Sequence, residues 1–380
     1  KLNGFLGADL TLSAVTDILT RLDFAYQVMD GETIVATVPV FRQDVSQAVD
    51  VYEEVARIAG YDKLPASAPV VRAHAVQTDS RRIQRQKIAA ALRSSGLDEI
   101  VTFSLVSRAA LAKSGLADVT AVPVINALSK EQEVLRPSLL PSMLAALLTN
   151  CNRGQKNIKI FETGKLYTPA GETETAAVLL SGQAAEDWRD TKKPAVDFYD
   201  LKGIVDKALL TVAEGGLAYQ AGNENFLAAG QACRVVLAGE PLGFLGRVSP
   251  RILAEWDIKS KEVYFAQINL EKLYKLSQPI RKYQPPPEFP GIVRDISLSV
   301  SRDIEFQTIQ DLALSGGQGL LASVVFLEEY IGEKIAKDQR GLVFSLTYQA
   351  ADRTLREEEV NAVHETLVQR LLAELPATRR

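Results

Sequence analysis

The chain has 380 residues, is 47% hydrophobic and 24% charged, and carries a formal net charge of −4. This is ordinary globular composition, enough for several domains at roughly 100–200 residues each, and it excludes global disorder. No apolar run approaches the ~20 residues of a membrane span, and the acidic balance excludes a global attraction for nucleic acid, so any such contact must be local.

The opening stretch, Lys1 to Gly7 (KLNGFLG), has neither an initiator Met nor a secretory pattern, as expected of a piece excised from a longer protein. Ser13 to Leu22 then predicts a short helix and Ile34 to Val40 a strand. Ser46 to Ala59 predicts a second helix closed by Gly60. The proline-bearing stretch Ala66 to Pro69 ends a small module over 1–70.

A middle domain over 71–278 opens with a basic helix, Ser80 to Ser95, followed by a strand from Glu99 to Leu105. A largely helical stretch covers Val134 to Cys151. Strands are predicted at Ile158 to Phe161, Ala177 to Ser181, Arg234 to Leu237 and Val263 to Asn269, with a helix near Leu201 to Ala213. Pro285 to Pro287 form an extended spacer into a third domain over 284–380. Its predicted order is strand (Ile296 to Ser301), helix (Phe306 to Ala313), strand (Leu320 to Tyr330), strand (Gly341 to Tyr348) and helix (Glu357 to Leu372), with room for a final strand. That order fits a ferredoxin-like sandwich.

Acidic residues carry the strongest local chemistry. Asp44, Asp50, Glu53 and Glu54 surround the predicted helix at 46–59, with Val49, Tyr52, Ala56 and Ala59 forming its expected buried stripe. Four carboxylates on one exposed face can hold a hard cation such as Mg²⁺, partly through water. Surface ion pairs to Arg57 explain the same spacing, and Asp44 is also placed to cap the helix, so both readings stand.

Other signals are weaker. Gly317 to Ala322 matches a loose G-x-G-x-x-A pattern, but it follows a helix and opens a strand, the reverse of a dinucleotide site, and Gly316 and Gly317 read as a helix end. No phosphate-loop motif occurs. Cys151 and Cys233 allow one bridge at most, which suits a reducing cytoplasm, and His74 and His364 are too far apart for a zinc site. Arg72, Arg81, Arg82, Arg85, Lys87 and Arg93 read as a solvated face or an RNA-backbone contact. The third domain has ten Lys/Arg against fifteen Asp/Glu. Arg294, Tyr330, Lys334, Lys337, Arg340, Tyr348 and Arg353 nevertheless cluster around its strands, where aromatic stacking plus arginine can read single-stranded nucleic acid.

Three groups of motifs, in one order, resemble the C-terminal half of the bacterial phenylalanyl-tRNA synthetase beta chain. Val38 to Asp44 (VPVFRQD) and Asp50 to Pro65 (DVYEEVARIAGYDKLP) are similar to the module ending in that family's EEVARIYGYDNIP run. Asn126 to Pro141 (NALSKEQEVLRPSLLP), Phe161 to Tyr167 (FETGKLY) and Asp197 to Gly203 (DFYDLKG) resemble its catalytic-like domain. Phe289 to Asp295 (FPGIVRD), Tyr330 to Gly332, Asp352 to Leu355, Glu359 to Asn361 and His364-Glu365 resemble its anticodon-binding domain. The sequence departs from the family at Gly246 to Pro250, Leu227 to Gln231 and Phe326 to Tyr330.

The resemblance implies an α+β multidomain chain. Its parts are a winged-helix-like small domain, a catalytically inactive class II synthetase-like antiparallel sheet domain, and a ferredoxin-fold anticodon-binding domain. It implies a cytoplasmic α2β2 phenylalanine–tRNA ligase in which the alpha chain binds ATP and charges tRNA(Phe). The beta chain then contributes assembly, Mg²⁺ at Asp44, Asp50, Glu53 and Glu54, and anticodon contact, for which Arg294, Tyr330, Arg340 and Arg353 are the candidates. No residue here is expected to be catalytic, and neither charging nor editing is expected of the chain alone. A stand-alone RNA-binding adaptor is the alternative.

Overall fold

The computed structural model describes residues 1–66, 68, 71, 78–184, 194–276, 283, 285–331, 335–336 and 338–379. Arg72, His74, Lys334 and Lys337 lie outside the described residues. The chain divides into two compact units, Lys1–Ile83 and Gln84–Arg380. Among the described residues no helix is long and apolar enough to cross a membrane.

The first unit runs α1 (Leu2–Leu6), α2 (Leu12–Arg21), β1 (Ala25–Met29), β2 (Thr33–Thr37) and α3 (Ala48–Ala59). Asp30 and Gly31, both left-handed, turn β1 into an antiparallel pair with β2. The strand predicted through Val40 stops at Thr37, before Pro39, which has no N–H to give a ladder. Val15, Ile18 and Leu19 of α2 pack on Phe24, Val45 and Val55. The buried stripe of α3 therefore centres on Val55 and Ala56, whereas Val49 is 40% exposed and Tyr52 meets the Phe5 ring at a tilted 51°, 5.6 Å between centroids. The helix is rotated from the expected face because its core partners lie on α2.

The second unit opens with all but the first four residues of α4 (Ser80–Ser94), followed by β3 (Asp98–Glu99), β4 (Leu105–Val106), α5 (Arg108–Lys113), β5 (Val134–Leu135) and α6 (Leu140–Asn152). There follow β6 (Ile158–Thr168), β7 (Gly171–Ser181), α7 (Phe198–Leu209), β8 (Leu217–Ala221), β9 (Leu227–Leu237), β10 (Glu240–Val248), α8 (Pro250–Glu255), β11 (Val263–Asn269) and α9 (Leu270–Leu276). One seven-stranded sheet results, ordered β3-β6-β7-β11-β10-β9-β8 and antiparallel except where β3 meets β6. Both of its faces are covered. Ala176, Val178 and Leu180 of β7 face α4, α7 and α9, while Ala177 and Leu179 face α5, α6 and α8. That explains the near-continuous apolar run in β7.

Two predictions in this region change. The strand expected from Glu99 to Leu105 shrinks to the two-residue pieces β3 and β4, with residues 100–104 outside any strand. The helix expected from Val134 begins only at Leu140, because Pro137 holds Arg136 extended and Pro141 suits a helix start. Strand β10 carried little signal because it contains Gly243 and Gly246. A Cβ at Gly243 would collide with the backbone of Gln267 on β11, so the strand-weakening residue is required by close approach.

The remainder is β12 (Ile292–Ser301), α10 (Phe306–Gly316), β13 (Leu321–Tyr330), β14 (Gln339–Tyr348), α11 (Glu357–Glu374) and β15 (Ala377–Arg379). The sheet is ordered β13-β14-β12-β15 with every pairing antiparallel. Both helices cover one face through Ile309, Ala313, Val360, Leu367 and Leu371, which pack on Ile296, Leu298, Phe344 and Leu346. This is the expected ferredoxin-like arrangement with its final strand present. Helix α10 ends at Gly316 as expected, but the left-handed residues after it are Gln318 and Gly319, two positions beyond Gly316 and Gly317.

Candidate functional site

The loop ahead of α3 folds back through Arg42 N–H donating to Pro39 O at 2.9 Å, and Val45 anchors it in the core. Asp50 rather than Asp44 caps α3. Its Oδ2 accepts the backbone N–H groups of Ser46 and Gln47, both at 2.7 Å, and these donors hold its pKa below the usual carboxylate range. Asp44 and Glu54 are brought together by Arg42, whose guanidinium lies 2.6 Å from Asp44 Oδ2 and 3.0 Å from Glu54 Oε1. Arg57 Nη2 adds a contact of 2.5 Å to Glu54 Oε2. The hydrogen bonds from Arg42 to both acids, and from Arg57 to Glu54, depress the two carboxyl pKa values and raise that of Arg42.

Glu53 is exposed and makes no hydrogen bond or ion pair among the described residues. Three of the four acids are thus already engaged, and among the described residues no three acids converge as a ready-made cation cage. Counting Arg42 with Arg57 lowers the local charge from about −3 to about −2, which still favours a divalent ion. Arg42 stands two residues before Asp44 in the sequence, but spacing does not predict its bridge to Glu54, twelve residues on. A groove of about 730 Å³ in this unit is lined by Asp9, Asp17, Arg21 and Lys63, and none of the four acids borders it.

The four candidate RNA residues are not gathered. Ser297 alternates with Ile296 and Leu298 of the core, so it lies on the face of the sheet away from the helices. The Tyr330 hydroxyl reaches Ser297 Oγ there at 3.1 Å. Arg294 is instead drawn to α11, donating from Nη2 to Asn361 Oδ1 at 3.2 Å with Glu357 at 3.8 Å. Arg340 donates to Ile304 O at 2.6 Å and sits 3.3 Å from Glu329. Arg353 lies 2.5 Å from Glu359 and 3.2 Å from Asp352. Each arginine therefore already has an acidic neighbour.

Elsewhere, Arg85 of α4 pairs with Glu174 at 3.0 Å and Arg93 with Glu99 at 2.6 Å, so part of the basic helix is neutralised. Buried His364 lies with Nδ1 3.1 Å from the Tyr348 hydroxyl, and burial lowers its pKa. Burial pushes the Tyr348 phenol up to about 12. The void between the seven-stranded sheet and helices α4 and α7 measures about 10 Å³, too small for a substrate. Arg136 and Glu162 form a buried ion pair at 2.8 Å. Nothing in their sequence spacing announces it beyond an arginine set in an apolar run.

Comparison with known proteins gives three family matches along the chain. Residues 1–61 match a model described as tRNA synthetase B5 domain, and residues 64–270 match the phenylalanyl tRNA synthetase beta chain CLM domain. Residues 287–380 match a ferredoxin-fold anticodon binding domain. A phenylalanine–tRNA ligase beta subunit from Geobacillus kaustophilus is 32% identical over 376 residues, covering 97% of this chain and 46% of its own length. Its counterpart from Staphylococcus epidermidis is 31% identical over 382 residues, covering 98% and 47%. The chain thus spans about half the length of the curated relatives it matches. A solved pyrrolysyl tRNA synthetase from Desulfitobacterium hafniense covers 51% of this chain and 67% of its own at 20% identity, with a TM-score of 0.41, too low to bear on the fold.

Proposed function

We infer what this chain does from the family to which it belongs, that of the phenylalanyl-tRNA synthetase beta chain. It acts as part of the beta subunit of a cytoplasmic phenylalanine–tRNA ligase, supporting ATP-dependent charging of tRNA(Phe) by an alpha chain in an α2β2 assembly. The observation that carries this reading is the succession of three family matches, in one order, over nearly the whole chain. We assign 1–70 as a winged-helix-like module, 71–278 as a class II synthetase-like domain without catalytic residues, and 284–380 as the anticodon-binding domain. The packing of helices on both faces of the seven-stranded sheet supports a scaffolding role for the middle domain.

Mg²⁺ is assigned to the face formed by Asp44, Asp50, Glu53 and Glu54. The donor set suits it, being all carboxylate oxygen, and Glu53 is open to solvent. Asp50 and Glu53 would hold the ion largely through water, with the Arg42-bound carboxylates Asp44 and Glu54 behind them. When bound, the ion supplies fixed positive charge at this face. Arg42 and Arg57 keep Asp44 and Glu54 ionised and oriented. Anticodon contact falls to the third domain, with Tyr330 on its open sheet face and Arg294, Arg340 and Arg353 at its margins, released from their acidic neighbours by RNA phosphate.

Co-expression with the alpha chain of the same organism tests the reading. The expected result is co-purification and phenylalanine-dependent charging of tRNA(Phe) by the complex, with no charging by this chain alone. Failure to co-purify, with alpha unaffected by the chain's presence, refutes it.

A further inference from the structure

We propose that the closed ring formed by Thr102, Arg136 and Glu162 is a register pin. It holds residues 100–104 with Thr102 turned inward and Val101 and Phe103 outward, against the preference of the side chains themselves. Glu162 lies on β6, Arg136 directly follows β5, and Thr102 lies between β3 and β4. Thr102 Oγ1 donates to Glu162 Oε2 at 2.7 Å and accepts from Arg136 Nη1 at 2.8 Å, while Arg136 Nη1 also donates to Glu162 Oε1 at 2.8 Å. Each member thus bonds both of the others, and Arg136 Nε is committed to Lys165 O at 3.0 Å.

Backbone pairing does not set this register. Ile100 N–H is tied to Phe161 O and Arg136 N–H to Ser104 O, each at 2.9 Å, and residues 100–104 belong to no strand. Hydrophobicity does not set it either. Val101 is 90% exposed and Phe103 77%, whereas the more polar Thr102 is half-buried, the reverse of what burial of apolar area favours. Neighbours on an extended segment point to opposite sides, so a slip of one residue would exchange the inward and outward sets.

The ring excludes that slip. With Val101 or Phe103 turned in, Glu162 Oε2 would lose its hydroxyl donor and Arg136 an acceptor, and leaving buried charged groups short of hydrogen bonds is costly. A buried ion pair is otherwise a poor source of stability, and fixing register is its best-attested use. Gly164 completes the seat, two residues beyond Glu162 on the same side of β6. A Cβ there would run into Arg136 Nη2. The Gly164 backbone is not left-handed, so it is the guanidinium, and not the path of the chain, that needs the space.

Amide hydrogen exchange of the whole chain tests the pin, comparing wild type with Arg136→Met/Glu162→Leu, Thr102→Val and Gly164→Ala. The amides of Ile100 and Arg136 close the two ends of the segment and report on its path. In all three variants they should exchange at least tenfold faster than in wild type, measured relative to the amides of the β7–β11 ladder. Equal acceleration of the ladder and of the two ties would make the ring an ordinary stabilising contact and overturn the proposal. So would wild-type rates at both ties in Thr102→Val and Gly164→Ala. These two variants leave both charges in place, so they decide the matter even if the double variant does not fold.

Discussion

The ring of Tyr330 on β13 lies across the backbone of Gly341 on β14, at a position where any side chain would run into it. One side of the ring is thereby held against its own sheet, and its hydroxyl is tied to Ser297 on the open face. Replacing Gly341 with Ala should destabilise the domain by about 1–3 kcal/mol, the usual range for overpacking. Tyr330→Phe should cost about 1 kcal/mol for the lost hydrogen bond. Urea melts of the chain check both. If Tyr330→Ala leaves stability unchanged but raises the KM for tRNA(Phe), the ring is a base-stacking platform and the packing account is wrong.

Glu53→Gln separates the two readings of the carboxylate helix. Because Glu53 has no partner among the described residues, its loss should leave the thermal midpoint in place. It should weaken Mg²⁺ binding to the assembled enzyme, measured by calorimetric titration. Arg42→Gln should do the reverse, lowering stability by releasing Asp44 and Glu54 while strengthening Mg²⁺ binding through added negative charge. Indifference of Mg²⁺ binding to both substitutions assigns all four acids to capping and ion pairing.

The Arg136–Glu162 pair makes a sharper energetic prediction. Removing one member should cost about 3–5 kcal/mol, because the other charge is left buried and unpaired. The double variant Arg136→Met/Glu162→Leu should recover much of that loss in equilibrium unfolding, while still loosening residues 100–104. Equal costs for the single and double variants would show that the pair contributes chiefly through its hydrogen bonds to Thr102 and Lys165.

His364 sets a pH dependence in the third domain. Burial, with a smaller contribution from Arg379, holds the folded-state pKa of His364 below its ordinary value of 6.5, against the opposing pull of Glu365. The unfolded chain therefore binds the proton more tightly. Stability from this group is fully present above pH 6.5 and is lost as pH falls toward the folded-state pKa. Melts between pH 7.5 and 5 should show a decline that His364→Gln flattens, although that variant starts less stable. An unchanged slope would place the pH dependence elsewhere.

Much of the third domain was legible in its sequence because only one sheet face is covered by helices and β14 alternates in and out, although β13 does not. The seven-stranded sheet was less so. With helices on both faces, β7 has no alternation to read, and β10 carries glycines that close packing demands. At the carboxylate helix the acids were visible, but the capping role of Asp50 and the link from Arg42 to Glu54 depend on how the preceding loop folds back. The Arg136–Glu162 pair joins segments that spacing rules cannot connect.

In the third domain, β12 sits between β14 and β15, with β15 following α11 at the far end of the segment. The first strand made is thus secured on one side only by the last. A nascent chain must hold β12 partly unpaired until everything after it has emerged, a high-contact-order arrangement that delays completion of the sheet. The same adjacency brings the beginning and end of the segment side by side, so a short linker could join them and a new opening be cut in a surface turn such as that between α10 and β13.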